Sequence, residues 1–168
     1  MPRDSSDFDA RVDRILAELV TVLLANRWKL ATAESCTGGW IAKCCTDVPG
    51  SSEWFERGYV TYSNQAKSEM LGVTRQALCT EGAVSRMVAE QMARGAMEAA
   101  GVAAALAVTG IAGPDGGTPD KPVGTVWFAW CTADRGVASQ VCRFDGDRTA
   151  VRQGSVIRAL DGLLTQLG

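Results

Sequence analysis

Histidine is absent from the 168 residues of this chain. Its absence excludes Ser-His-Asp and Cys-His nucleophile systems, as well as zinc sites built on imidazole ligands. A general base must therefore be lysine, aspartate, glutamate, tyrosine or water. The six cysteines include no C-x-x-C pair, so the sequence predicts neither a zinc knuckle nor a redox-active dithiol. Scattered reduced thiols indicate a cytoplasmic protein.

Long apolar runs and a charge excess of one sign are also lacking. No apolar run approaches the roughly 18 residues of a membrane helix, and residues 1–7 are polar, unlike a secretory signal. The 17 basic and 19 acidic residues give a net charge of −2. Because no Lys/Arg cluster is present, we expect neither a nucleic-acid partner nor a membrane partner.

The length and the 46% hydrophobic content predict one domain over residues 1–168, with residues 1–7 as a flexible leader. Apolar residues at three- and four-residue spacing predict a first helix over 8–25. Further helices are predicted to begin near 40, 64, 85 and 147, and strands to occupy 29–33, 58–63, 102–108, 123–131 and 137–144. This pattern predicts a three-layer α/β/α sandwich with a mixed β-sheet.

Three polar, glycine-rich stretches each follow a predicted strand, at residues 34–39, 109–117 and 146–148. Ligands of open α/β sheets bind outside the carboxyl ends of the strands, so these stretches are candidates for one shared crevice. Ordinary turns with positive φ are the alternative explanation for the glycines. No stretch matches the dinucleotide G-x-G-x-x-G or the P-loop pattern, which disfavours an NTPase and a nicotinamide-dependent oxidoreductase.

Four single residues are candidates for chemistry. Ser52 lies at the mouth of a short helical segment and can serve as a nucleophile, and Lys67, partly desolvated after a strand, can have its pKa lowered enough to accept a proton. A helix cap and a surface cation are the alternatives, and the spacing alone does not pair the two side chains. Arg148 opens a helix and suits a phosphate, or it is a solvated arginine after an N-cap. Cys36 is expected to be a bystander.

Six motifs follow one another between about residues 29 and 166. They are AESCTGG at 33–39, PGSSEWF at 49–55, YSNQAK at 62–67, TGIAGPDGG at 109–117, KPVGTV at 121–126 and GDR at 146–148. In these motifs the chain resembles the CinA C-terminal domain family, the nicotinamide mononucleotide deamidases also called PncC. The resemblance implies an α/β/α sandwich that converts nicotinamide mononucleotide and water to nicotinic acid mononucleotide and ammonia.

By motif position, the resemblance implies Ser52 as the nucleophile and Lys67 as the general base. It implies a substrate-binding set as well: Ser35, Gly38, Tyr62, Thr109, Gly110 and, for the phosphate, Arg148. The resemblance implies no cofactor and no metal. It also implies a homodimer or a higher homo-oligomer. The alternative from another class is a non-catalytic nucleotide-binding or protein-interaction domain of the competence or damage-inducible CinA type, whose loops hold a ligand without turnover.

Overall fold

The structure is a computed structural model of the chain and describes residues 5–168. Its helices are α1 (Ser5–Asn26), α2 (Trp40–Asp47), α3 (Asn64–Leu71), α4 (Arg75–Thr80), α5 (Arg86–Ala100) and α6 (Arg148–Leu167). Its strands are β1 (Leu30–Glu34), β2 (Phe55–Val60), β3 (Ala104–Gly110), β4 (Thr125–Thr132) and β5 (Gly136–Arg143). A short 3-10 turn, Ser51–Glu53, leads into β2. None of these helices combines the length and apolar character that crossing a membrane requires.

The strands form one mixed sheet in the order β2-β1-β3-β4-β5. β1 pairs in parallel with both β2 and β3, whereas β4 is antiparallel to β3 and to β5. In this register Glu34 at the end of β1 lies opposite Val60 of β2 and Val108 of β3. The carboxyl ends of the three parallel strands therefore lie level at one edge of the sheet.

Two helical layers cover the sheet, because strand side chains alternate between its faces. Ala105 and Ala107 of β3 belong to a core with α5, beside which α3 and α4 pack. Leu106 and Val108 belong to the opposite core, which α1, α2 and α6 close. The small alanines on the α5 side let the helix approach the sheet closely. The predicted three-layer sandwich with a mixed sheet is confirmed.

The predicted caps explain where two helices begin. The Asp147 carboxylate accepts a hydrogen bond from the Ala150 N–H (2.8 Å), and the Ser85 hydroxyl accepts one from the Val88 N–H (3.3 Å). Ser63 caps α3 in the same way, so the backbone leaves the sheet before it, and β2 ends at Val60 instead of extending over the predicted 58–63. α4 was not predicted.

The amino-terminal leader requires a correction. α1 begins at Ser5, so residues 5–7 of the predicted flexible leader are helical, while residues 1–4 lie outside the described residues. Asp7 in the first turn complements the positive end of the helix dipole. Phe8, one residue later, is buried and packs on Trp40 with ring centroids 5.1 Å apart, which fixes the start of the helix to the domain.

Candidate active site

A polar cavity of about 290 Å³ opens where the parallel strands end. The loops after β1, β2 and β3 and the start of α6 line it together with the α4–α5 loop. The lining residues are Ser35, Cys36, Tyr62, Asn64, Lys67, Ala83, Val84, Thr109, Gly110, Ile111, Ala112, Gly113, Asp115, Gly116 and Arg148. The three glycine-rich stretches therefore contribute to one crevice, as their positions after strands predicted.

Ser35 and Lys67 are in direct contact within this cavity. The Ser35 N–H donates to the Val108 carbonyl (3.0 Å), which keeps the residue beside the end of β3 after β1 has ended. The Lys67 ammonium is held by the Ser35 Oγ at 2.9 Å and by the Thr61 carbonyl at 2.8 Å. A nucleophilic hydroxyl within hydrogen-bond distance of an amine is the geometry that a serine–lysine pair requires.

Burial makes Lys67 a candidate base. The residue is only 1% exposed, and it forms no ion pair with a carboxylate in residues 5–168. Desolvation disfavours its charged form and lowers its pKa below the usual 10.5. In the charged form Lys67 donates to the Ser35 Oγ, and in the neutral form the nitrogen lone pair lies within 2.9 Å of that oxygen and can accept the serine proton. The pair can therefore move a proton without histidine.

Ser52 lies elsewhere, and the predicted pairing of Ser52 with Lys67 needs correction. Ser52 is exposed on the 3-10 turn before β2. Two residues later, the Trp54 carbonyl accepts a hydrogen bond from the N–H of Leu30 at the start of β1 (2.8 Å). Lys67 lies beyond the other end of β2, next to Thr61. A strand of this length separates the two sites by about 20 Å.

The sequence contained a signal for this outcome. A strand was predicted between Ser52 and Lys67, and residues before and after one strand lie at opposite edges of a sheet. Ser35 and Lys67, in contrast, each follow a strand. If those two strands are parallel neighbours, the two residues share an edge. By this rule the serine that lies near Lys67 is Ser35, which was predicted as a substrate-binding residue.

The other predicted substrate-binding residues differ in how they meet the cavity. Thr109 donates its hydroxyl to the Ala83 carbonyl (2.8 Å), so it fixes the α4–α5 loop as a wall. Gly110 lines the cavity beside it, and a Cβ there would lie 2.6 Å from a Val126 methyl group, which explains the glycine. Gly38 does not line the cavity; its N–H donates to the Ser35 carbonyl and closes the turn.

Arg148 and Tyr62 form the outer rim. The guanidinium of Arg148 donates to the Gly113 carbonyl (2.7 Å) and to the Tyr62 hydroxyl (3.1 Å). Both side chains are exposed, and Arg148 is the first residue of α6. The rim thus places a cation beside a helix N-terminus, a combination that attracts anions. The remaining guanidinium donors face no protein acceptor in residues 5–168.

Two residues that hold the Ser35 loop, Glu34 and Arg152, were not predicted to matter. Glu34 is fully buried and accepts hydrogen bonds from the Thr37 hydroxyl (2.7 Å) and the Ile41 and Ala42 N–H groups (both 2.9 Å) at the start of α2. Arg152 reaches the same loop from α6. Arg152 follows Arg148 by four residues, so helical spacing alone places both on one face.

The cysteines of this region are not activated. Burial raises the pKa of the Cys36 thiol to about 11, despite the nearby cations of Arg152 and Lys67. Burial likewise raises the pKa of Cys44 to about 11. A protonated thiol is a poor nucleophile, which agrees with the prediction that Cys36 is a bystander. Across residues 5–168 there is no group of three or more metal-ligating side chains.

The pH dependence of stability gives a first test of the buried lysine. We expect the unfolding free energy of the wild type, relative to Lys67→Met, to rise with pH up to about 10.5. Because the pKa of Lys67 is lowered by folding, the unfolded chain binds more protons between that pKa and 10.5. The contribution of neutral Lys67 to the unfolding free energy is fully present above pH 10.5. It is lost as the pH falls through the lowered pKa of Lys67. Denaturant titrations of both proteins from neutral to alkaline pH measure it; a constant or shrinking difference would contradict the burial.

Comparison with known proteins identifies the family. A model of the CinA C-terminal domain matches residues 12–167. The chain is 60% identical to nicotinamide-nucleotide amidohydrolase PncC of Pseudomonas putida, over 83% of this chain and 86% of the relative, and 50% identical to PncC of Escherichia coli, over 94% and 96%. The crystal structure of competence damage-inducible protein A from Klebsiella pneumoniae superposes with a TM-score of 0.89 at 36% identity, covering 93% of this chain and 96% of that one. The chain therefore belongs to the CinA C-terminal domain family.

Proposed function

We propose that this protein is an amidohydrolase that converts nicotinamide mononucleotide and water to nicotinic acid mononucleotide and ammonia, with Ser35 as nucleophile and Lys67 as general base. The observation that carries the proposal is the 2.9 Å contact between the Ser35 hydroxyl and a buried lysine amine in a cavity. The names of the relatives, amidohydrolases of nicotinamide nucleotides at 50% and 60% identity, support the reaction class and the substrate.

Acylation begins when the neutral Lys67 amine takes the Ser35 proton and the serine oxygen attacks the carboxamide carbon. A tetrahedral intermediate forms. As the C–N bond breaks, Lys67 returns the proton to the departing nitrogen, and ammonia leaves. The Thr61 carbonyl, 2.8 Å from the amine, holds Lys67 in place while its charge changes. The product of this half-reaction is an ester between Ser35 and the nicotinate carbonyl.

Deacylation uses the same two groups. Lys67 takes a proton from a water molecule, the resulting hydroxide attacks the ester carbon, and the bond to the serine oxygen breaks. Lys67 then returns its proton to Ser35, so the resting pair is restored. The chemistry needs no redox partner, because no atom changes oxidation state.

Arg148 is the group that we assign to the substrate phosphate. We expect Arg148→Ala to lower kcat/KM for nicotinamide mononucleotide about ten- to a hundredfold, because a charge-assisted contact contributes roughly 1.5–3 kcal/mol. Arg148→Lys should recover part of the loss, because it keeps the charge without the two-pronged donor geometry. Nicotinamide riboside lacks the phosphate, so its slower turnover should hardly change.

The riboside also serves as the control for loop damage, because Arg148 supports the Gly113 carbonyl as well. Both substrates are assayed on both proteins by ammonia release. An equal proportional loss on the riboside would mean that Arg148 supports the loop or the reacting centre, and the phosphate assignment would then fail.

Ammonia release from nicotinamide mononucleotide, with and without a chelator, tests the proposed reaction itself. We expect turnover that the chelator leaves unchanged. The competing function is a nucleotide-binding or protein-interaction domain without turnover, for which binding of the nucleotide would persist with no ammonia released. Loss of turnover on chelation, restored by zinc or magnesium, would contradict the serine–lysine mechanism. A buried lysine that has no carboxylate partner among the described residues favours the enzyme, because its desolvation cost has no evident use in a binding module.

A further inference from the structure

Arg152 of α6 is hydrogen-bonded to the loop that carries Ser35. Its Nε donates to the Cys36 carbonyl and one Nη to the Thr37 carbonyl, both at 3.1 Å. The guanidinium lies over the Trp40 ring, 5.1 Å from the centroid. Two consecutive carbonyls directly after Ser35 are thus held by one planar, two-pronged donor whose own position is fixed by stacking.

The opposite side of the same loop is held by an anion. Glu34, the residue before Ser35, is fully buried and binds the Thr37 hydroxyl and two N–H groups at the start of α2. Gly38 closes the turn onto the Ser35 carbonyl. On one side of Ser35, the Glu34 carboxylate accepts hydrogen bonds from the Thr37 hydroxyl and two N–H groups of α2. On the other side, the Arg152 guanidinium donates hydrogen bonds to the Cys36 and Thr37 carbonyls. With both in place the backbone of the loop has little freedom to rotate.

We propose that Arg152 is a positioning residue that, through the Cys36 and Thr37 carbonyls, holds the Ser35 hydroxyl in line with Lys67. The proposal rests on the proposed function, in which Ser35 attacks the substrate. Arg152 is not among the residues that line the cavity, and within residues 5–168 its hydrogen bonds go to the loop backbone. Its hydrogen bonds therefore act on the reaction through the placement of Ser35.

The size of the effect follows from geometry. A displacement of about 1 Å at a reacting group can cost a hundredfold in rate. Without the guanidinium, two carbonyls that are partly shielded from water lose their donors, and the loop must turn to find others. We expect Arg152→Met to lower kcat about ten- to a hundredfold while KM changes less than about threefold. Arg152→Lys, which reaches one carbonyl at a time, should fall between Arg152→Met and the wild type.

Arg158 provides the matched control on the same helix. It also stacks on a tryptophan, 5.3 Å from the Trp130 ring centroid, and it also binds polar groups, the Gln140 amide oxygen and the Asp161 carboxylate. Within residues 5–168 it forms no hydrogen bond to the Ser35 loop. Arg158→Met should therefore leave kcat and KM unchanged, although it removes the same kind of side chain from α6. Thermal unfolding of every variant shows whether the fold is retained.

The second readout is the rate at which a small fluorophosphonate labels Ser35, followed by intact mass. The serine oxygen displaces fluoride from phosphorus and Lys67 takes the proton, so labelling reports the Ser35–Lys67 geometry without the nucleotide. We expect Arg152→Met to slow labelling about as much as it lowers kcat, and Arg158→Met to have no effect. Ser35→Ala should not be labelled at this position.

The outcomes separate the two claims. Labelling and kcat at wild-type values in folded Arg152→Met or Arg152→Lys would overturn the positioning role and leave the proposed function intact. Arg152-dependent labelling in a protein that releases no ammonia from nicotinamide mononucleotide would support the positioning role and contradict the proposed reaction. A wild-type protein whose Ser35 is never labelled would overturn the positioning role, since no activated serine would exist to position.

Discussion

Ser35→Ala should lower kcat/KM for nicotinamide mononucleotide by about a thousandfold or more, because loss of a nucleophile removes the covalent path altogether. Ser52→Ala is the matched control, since it makes the same change at the serine on the opposite edge of the sheet. It should stay within about twofold of the wild type, as expected for an exposed residue outside the site. Ammonia release by the two purified variants measures both effects.

Stability must be compared alongside activity. Ser35 accepts a hydrogen bond from Lys67, so Ser35→Ala will alter the melting temperature slightly. Ser52 is exposed, and Ser52→Ala should alter it less. A folded Ser35→Ala protein that retains wild-type turnover would remove Ser35 from the mechanism. A thousandfold loss in Ser52→Ala would restore the pairing that the motif positions first implied.

Lys67→Met should cause a loss of similar size, about a thousandfold, because the serine would have no base and the leaving nitrogen no acid. Methionine keeps an unbranched side chain of similar length in the buried site. The double variant with Ser35→Ala should be little worse than either single variant, since a nucleophile and its base act as a unit. Independent losses that multiply would contradict the pair.

The pH profile of the wild type belongs to the same prediction. The reaction needs neutral Lys67, so kcat/KM should rise with pH and level off above the pKa of Lys67 in the free enzyme. Burial lowers that pKa, so the plateau should be reached below the ordinary lysine value of 10.5. The residual activity of Lys67→Met should lack this rise. A wild-type profile that falls through the neutral range would contradict lysine as the base.

Much of the fold could be predicted from local patterns. The apolar spacing in α1 and α6 and the caps Ser85 and Asp147 act within a few residues, so one sequence contains all the information they need. The start of α1 was placed too late because residues 5–7 are polar. The next residue, Phe8, packs against Trp40, and this contact between distant segments is not visible in the local pattern.

The candidate site was predicted in outline and mispaired in detail. The three glycine-rich stretches do meet at one edge, because they follow β1, β3 and β5, which run in the same direction. The resemblance implied Ser52 and Lys67 as a pair, while the spacing left open whether the strand between them separates the two side chains. In the structure β2 sends one residue to each edge of the sheet. Arg152 could not be identified, because its contacts with the Cys36 and Thr37 carbonyls depend on how α6 packs against α2, which local patterns do not specify.

The family fold by itself does not decide between turnover and binding. Loops of this kind hold nucleotides in binding proteins as well, and hydrolysis depends on specific side chains. The side chains that favour hydrolysis are the buried amine of Lys67 and the hydroxyl of Ser35 beside it. The rim cation Arg148, in contrast, would serve a binding protein equally well.

The central claim, that Ser35 carries the covalent intermediate, is tested most directly by acid quench through the first turnover with nicotinamide mononucleotide, followed by peptide mass mapping. We expect a transient ester of nicotinic acid mononucleotide on the peptide containing Ser35, formed as ammonia is released and lost as product appears. An ester on the peptide containing Ser52, or product formed while the protein stays unmodified at every time point, would contradict it.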